Sequence, residues 1–124
     1  MVDFVKAIAN YARVTKGRSD FAIFPQNGEA LGKYSDYLQN ITGIGHEDVF
    51  YNDDSLNTAS DINAMRTALN KFKSAGEPVF VIDYPQQQSH LDDFYSRAIA
   101  DGFVPLAADR ELDSLDVVAG HEPD

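Results

Sequence analysis

The sequence predicts an α/β protein built from parallel βα repeats. Short apolar runs at 21–24, 79–82 and 103–107 alternate with segments of helical period. Glycine stop signals at Gly17, Gly76 and Gly102 separate each helical segment from the run that follows. Strand ends stop in polar clusters, at Pro25-Gln26-Asn27-Gly28-Glu29, Gly43-Ile44-Gly45-His46-Glu47-Asp48 and Asp83-Tyr84. Helix and strand alternating in this way point to right-handed parallel crossovers, and ligand sites in such sheets lie at the carboxyl ends of the strands.

The elements follow in order. Residues 2–15 read as an amphipathic helix with Val5, Ile8, Ala9 and Ala12 on one face. The run 21–24 is a strand, and Pro25 prevents its simple continuation. From Glu29 to about Asn40 the pattern is again helical, with Leu31, Tyr34 and Leu38 aligned. A short strand at 43–45 comes next, with a further candidate at 49–51 and a loop at 52–55. Thr58 with Asp61 makes a capping box for a helix carrying Ile62, Met65, Leu69 and Phe72. The strand 79–82 is wholly apolar, which suits a parallel sheet covered on both faces. Ser89 with Asp92 repeats the capping signal before a helix that buries Leu91, Phe94, Tyr95 and Ala98. The run 103–107 is the last strand, a short helix is expected over 109–116, and a loose acidic tail from about 114 ends the chain.

A chain of 124 residues, 44% apolar, makes one domain with a real core. No stretch approaches the ~20 apolar residues of a membrane span. Residues 1–6 lack the basic and apolar regions of a secretory signal. With no cysteine, disulfides, thiolate zinc sites and cysteine nucleophiles are excluded. Ten basic against twenty acidic residues give a formal charge of −10, which argues against nucleic acid and for neutral or cationic ligands. His46, His90 and His121 fall in no metal-ligand spacing, and no serine elbow, phosphate loop or EF-hand loop is present. No metal or organic cofactor is expected.

The ordered set of segments 1–9, 25–29, 43–51, 81–84, 102–105 and 108–110 resembles the C-terminal half of glycoside hydrolase family 114, the endo-α-1,4-polygalactosaminidase-like (β/α)8 barrels. The resemblance implies that the strands here are the fifth to eighth of such a TIM barrel. It places Glu47 as a catalytic carboxylate after the sixth strand and Asn27 as a strand-end residue of the substrate cleft. It also implies secretion, a polysaccharide substrate, and a second catalytic aspartate on a fourth strand whose motif does not occur in this chain.

From the residues themselves, Glu47 could serve as the acid of a glycosidase pair if burial raises its pKa. Glu29 is the rival, with helix-end charge stabilisation as its structural alternative. Gln26 and Asn27 offer donors and acceptors for sugar hydroxyls. Asp83 could hold a cationic amino sugar, with Tyr84 as a stacking platform; bracing of neighbouring loops is the equal alternative for Asp83. Asp109-Arg110 reads as an internal ion pair or a cap. Two functions stay open: a glycosidase acting on α-1,4-linked galactosamine-rich polysaccharide, or an inactive half-barrel that binds carbohydrate or self-assembles. Four strands leave two open sheet edges, so homo-oligomers through those edges are expected.

Overall fold

The computed structural model describes residues 1–114 and 117–122. The chain opens with α1 (Val2–Asn10), which continues as a π-helical turn over Tyr11–Thr15. Val5, Ala9 and Ala12 are buried as the period requires, whereas Ile8 stays 37% exposed at the edge of the stripe. An extended segment, 21–27, follows. It runs beside β1 (Ile44–Glu47), with the Thr42 N–H donating to the Ile23 carbonyl at 2.8 Å, Gly45 N–H to Pro25 at 2.9 Å and Asn27 N–H to Gly45 at 2.8 Å. Only Gln26 and Gly45 form a ladder bridge, so the strand expected at 21–24 is an extended edge rather than a regular strand. Pro25 has no N–H to give, and no further strand supports the outer side among the described residues.

The helix expected over 29–40 is broken. A 3₁₀ turn (Glu29–Lys33) meets the short α2 (Ser35–Leu38) at an extended Tyr34. Tyr37, not Tyr34, is the buried tyrosine. The tight turn brings Gly32 against Phe72, where a Cβ would stand 2.7 Å from the ring. After β1 comes a small antiparallel ribbon, β2 (Tyr51–Asn52) with β3 (Ser55–Leu56). Next is α3 (Ala59–Ser74), capped by Thr58, whose hydroxyl accepts the Asp61 N–H at 3.2 Å. Then follow β4 (Val79–Asp83), α4 (Gln88–Ala100) and β5 (Val104–Ala107). The Ser89–Asp92 cap is not made. The chain enters α4 through Gln86 and Gln87, whose N–H groups donate to Asp54 at 2.9 and 3.0 Å.

The sheet order is β1-β4-β5, all parallel, with 21–27 outside β1. Residues level with each other across a parallel ladder point to the same face. Ile44, His46, Val79, Val81, Asp83 and Ala107 face the helices and are buried. Gly45, Phe80 and Val104, and then Glu47, Ile82 and Leu106, face the other way. On that face Phe80, Val104 and Leu106 are 37%, 49% and 42% exposed. The expectation of a sheet covered on both faces therefore fails among the described residues: helices cover one face and the other is open. Gly43 belongs to the open face, where a Cβ would meet the Phe24 ring at 2.6 Å and the Pro78 carbonyl at 2.8 Å.

The core lies between sheet and helices, around Phe50, Phe72, Phe94, Leu69 and Val81. Each such side chain contributes about 1.5–3 kcal/mol on burial. In its described part, 109–114, the expected C-terminal helix is absent; the chain turns where the Leu112 N–H donates to Asp109 at 2.8 Å. Residues 115, 116, 123 and 124 of the expected helix and tail lie outside the described residues. The tail is docked at His121, which stacks on Tyr95 at 4.1 Å and bonds Asp92 at 3.0 Å.

Candidate active site

Parallel order puts the carboxyl ends of 21–27, β1, β4 and β5 on one rim. There Glu47, the last residue of β1, carries its side chain onto the open face of the sheet. Asn27 sits in the left-handed region at φ 59°, a conformation Asn tolerates better than most residues. The turn aims its amide at Glu47. Asn27 Nδ2 donates to Glu47 Oε1 at 3.2 Å, and the Glu47 N–H donates to Asn27 Oδ1 at 3.2 Å. On the other side the Tyr84 hydroxyl donates to Glu47 Oε2 at 2.7 Å. Gln26 is exposed beside them and lies across Gly45.

These donors decide the charge of Glu47. The Tyr84 hydroxyl first, then the Asn27 amide, hold its carboxyl below the usual glutamate value, outweighing desolvation. The upward shift that burial would bring does not occur, because the residue is half-buried among hydrogen-bond donors. Burial first, and then the hydrogen bond to Glu47, push the Tyr84 phenol upward, so it remains a donor.

Tyr84 does not serve as an open stacking platform. Only 3% of it is exposed, and the Arg110 guanidinium lies 4.4 Å from its ring centre. Arg110 does not pair with Asp109. Its donors reach Asp48 at 3.0 Å, Asn52 at 2.7 Å and Asp53. Sequence reasoning missed this residue as part of the rim. The signal was an acidic loop, 48–54, with no cation of its own.

Asp83 lies on the opposite face from Glu47 and has no exposed surface. Its carboxylate accepts three buried backbone N–H groups, from Val49 at 2.9 Å and from Phe50 and Tyr51 at 2.8 Å each. Burial pushes its carboxyl up and these three bonds pull it back. Asp83 is thus the brace of the loop after Glu47, and the reading of it as a sugar contact is corrected: no ligand on the open rim can reach it.

Glu29 is also apart from the rim pair. Its carboxylate lies 2.9 Å from Nε2 of buried His46, whose Nδ1 lies 2.9 Å from the Glu47 carbonyl. The His46 bond is the main reason that the Glu29 carboxyl is held below its usual value. The structure therefore brings Gln26, Asn27, Glu47 and Tyr84 together, and leaves Glu29 beside them and Asp83 behind them.

Among the described residues no group of three or more His, Asp or Glu could hold a metal ion. No helix there is long and apolar enough to cross a membrane.

Relatives place the chain. A protein of Methanocaldococcus jannaschii, described only as uncharacterized, is 35% identical over 127 residues, covering 93% of this chain and 36% of that protein. An uncharacterized Thermotoga maritima protein is 29% identical, covering 99% of this chain and 41% of its own length. One of Deinococcus radiodurans, also uncharacterized, is 30% identical over 93% of this chain and 37% of its own length. The chain thus spans well under half the length of these relatives. The family model described as glycoside-hydrolase family GH114 matches residues 1–122, essentially the whole chain. This α/β chain belongs to glycoside-hydrolase family GH114.

Proposed function

We propose that the chain forms the second half of a (β/α)8 glycosidase barrel, with Glu47 as one carboxylate of the site and α-1,4-linked, galactosamine-rich polysaccharide as substrate. The observation that carries this reading is the posture of Glu47. It stands at the carboxyl end of β1, on the open face, gripped by Tyr84 and Asn27. Glycoside hydrolysis uses one carboxyl to protonate the leaving oxygen and another as nucleophile or base. A carboxylate kept ionised suits the second role. The exposed Gln26 amide and half-buried Asn27 offer donors and acceptors suited to sugar hydroxyls, which supports the reading. A net charge of −10 raises the local concentration of a cationic polymer. The reading calls for no metal or organic cofactor. Reducing ends released from galactosamine polymer test it. Joined by a first half-barrel that supplies the other carboxyl, the wild-type chain is expected to hydrolyse the polymer and Glu47→Gln to lose about 10²–10⁴-fold. Equal rates would remove Glu47 from the mechanism, and an inactive wild type would favour the second reading.

The second reading is a non-catalytic half-barrel that binds carbohydrate or self-assembles. The open face favours it, with Phe24, Phe80, Val104 and Leu106 all exposed and unpaired outer edges at 21–27 and β5 among the described residues. Two copies related by a two-fold axis would cover both faces and pair both edges. Sedimentation at micromolar concentration is expected to give twice the monomer mass, and Phe80→Lys a monomer. A wild-type monomer would contradict self-assembly.

A further inference from the structure

We infer that Arg110 is a positioning residue for Glu47, acting through the ring of Tyr84 rather than by touching the carboxylate. Arg110 comes from the turn after β5 and reaches back across the rim. Its guanidinium bonds Asp48 and Asn52 at 3.0 and 2.7 Å, and also Asp53, which fixes it to the loop that leaves β1. Held there, it lies over the Tyr84 ring, 4.4 Å from its centre. The opposite end of Tyr84 is the hydroxyl that donates to Glu47 at 2.7 Å. A phenol can swing about its χ1 and χ2 bonds only if a face is free, and the stacked cation occupies one. Loop, cation and ring therefore form one chain of contacts that ends on the reactive carboxylate.

The planar guanidinium matters more than the charge. A fork can satisfy Asp48, Asn52 and Asp53 while presenting a flat face to an aromatic ring, and an ammonium cannot. The groups facing Glu47 are Tyr84, Asn27 and Gln26, with Arg110 as a more distant positive charge. Asp48 is its chain neighbour, and the Glu29–His46 pair lies on the flank of β1. Tyr84 is the principal hold on the ionised form, so an effect routed through it outweighs the direct field of Arg110.

The sign follows. A carboxyl held below its unfolded value of 4.5 contributes stability that is complete above that value and is lost as pH falls through the lower folded value. Loosening Tyr84 therefore moves Glu47's titration to higher pH. The inference takes its catalytic meaning from the proposed role of Glu47. Its test reads ionisation in the protein alone, so failure to hydrolyse polymer would leave it standing.

The experiment is carbon-detected NMR titration of glutamate side-chain carboxyls, with the Glu47 signal assigned from its loss in Glu47→Gln. Tyr84→Phe and Arg110→Ala are each expected to shift the Glu47 midpoint upward. Arg110→Lys, which keeps the charge, is expected to follow Arg110→Ala rather than wild type. In the Tyr84→Phe background Arg110→Ala is expected to add little, because the two act in series. Arg66→Ala is the control, since Arg66 also lies over an aromatic ring, Phe50 at 5.6 Å, but pairs with Asp101 at the far end of the sheet. It should leave Glu47 unmoved. An unshifted midpoint in Arg110→Ala, a wild-type midpoint in Arg110→Lys, or equal shifts with and without the Tyr84 hydroxyl would overturn the inference.

Discussion

Glu47 and Asp83 both end parallel strands, yet one stands at the rim and the other in the core. The difference is parity. Glu47 pairs with Ile82, so Asp83 lies one residue further on and its side chain projects from the opposite face. Both residues were legible in the sequence as strand-end acids, but register was not, and a one-residue offset decides solvent or burial. Asp83 now carries a prediction of its own. Asp83→Asn replaces a carboxylate oxygen by an NH₂ facing buried N–H donors from Val49, Phe50 and Tyr51. Each donor left stranded costs about 1–3 kcal/mol. Chemical denaturation should show an unfolding free energy lower by that order, and a value equal to wild type would deny the brace.

At the scale of elements, α1, α3, α4, β4 and β5 were legible because their apolar residues recur with the right period. The segment 29–40 misled because its period is helical although Gly32 must approach Phe72 closely, which favours a tight turn over a continuous helix. The start of α4 misled for another reason. Ser89 and Asp92 have capping spacing, but Asp54, distant in sequence, already holds the entering N–H groups, and its carboxyl is lowered to about 2, first by the Gln87 N–H. Local signals lose where a remote side chain satisfies the same donors. Arg110 belongs to the same class: its partners Asp48 and Asn52 lie 62 and 58 residues away.

At the scale of the molecule, parallel order gathers Asn27, Glu47 and Tyr84 on one rim, the rim to which the proposed function assigns its chemistry. Continuous apolar strands hid which sheet face the helices cover, since Val and Phe read alike in a sequence; the exposure of Phe80 and Leu106 shows it. The direct measurement is binding of an α-1,4-linked galactosamine oligomer, followed by backbone NMR in wild type and Glu47→Gln. The account predicts that the resonances of Gln26, Asn27 and Glu47 move, that affinity falls about tenfold or more in Glu47→Gln, and that added salt weakens binding. Resonances that move only elsewhere on the protein, or equal affinity in the two proteins, would contradict it.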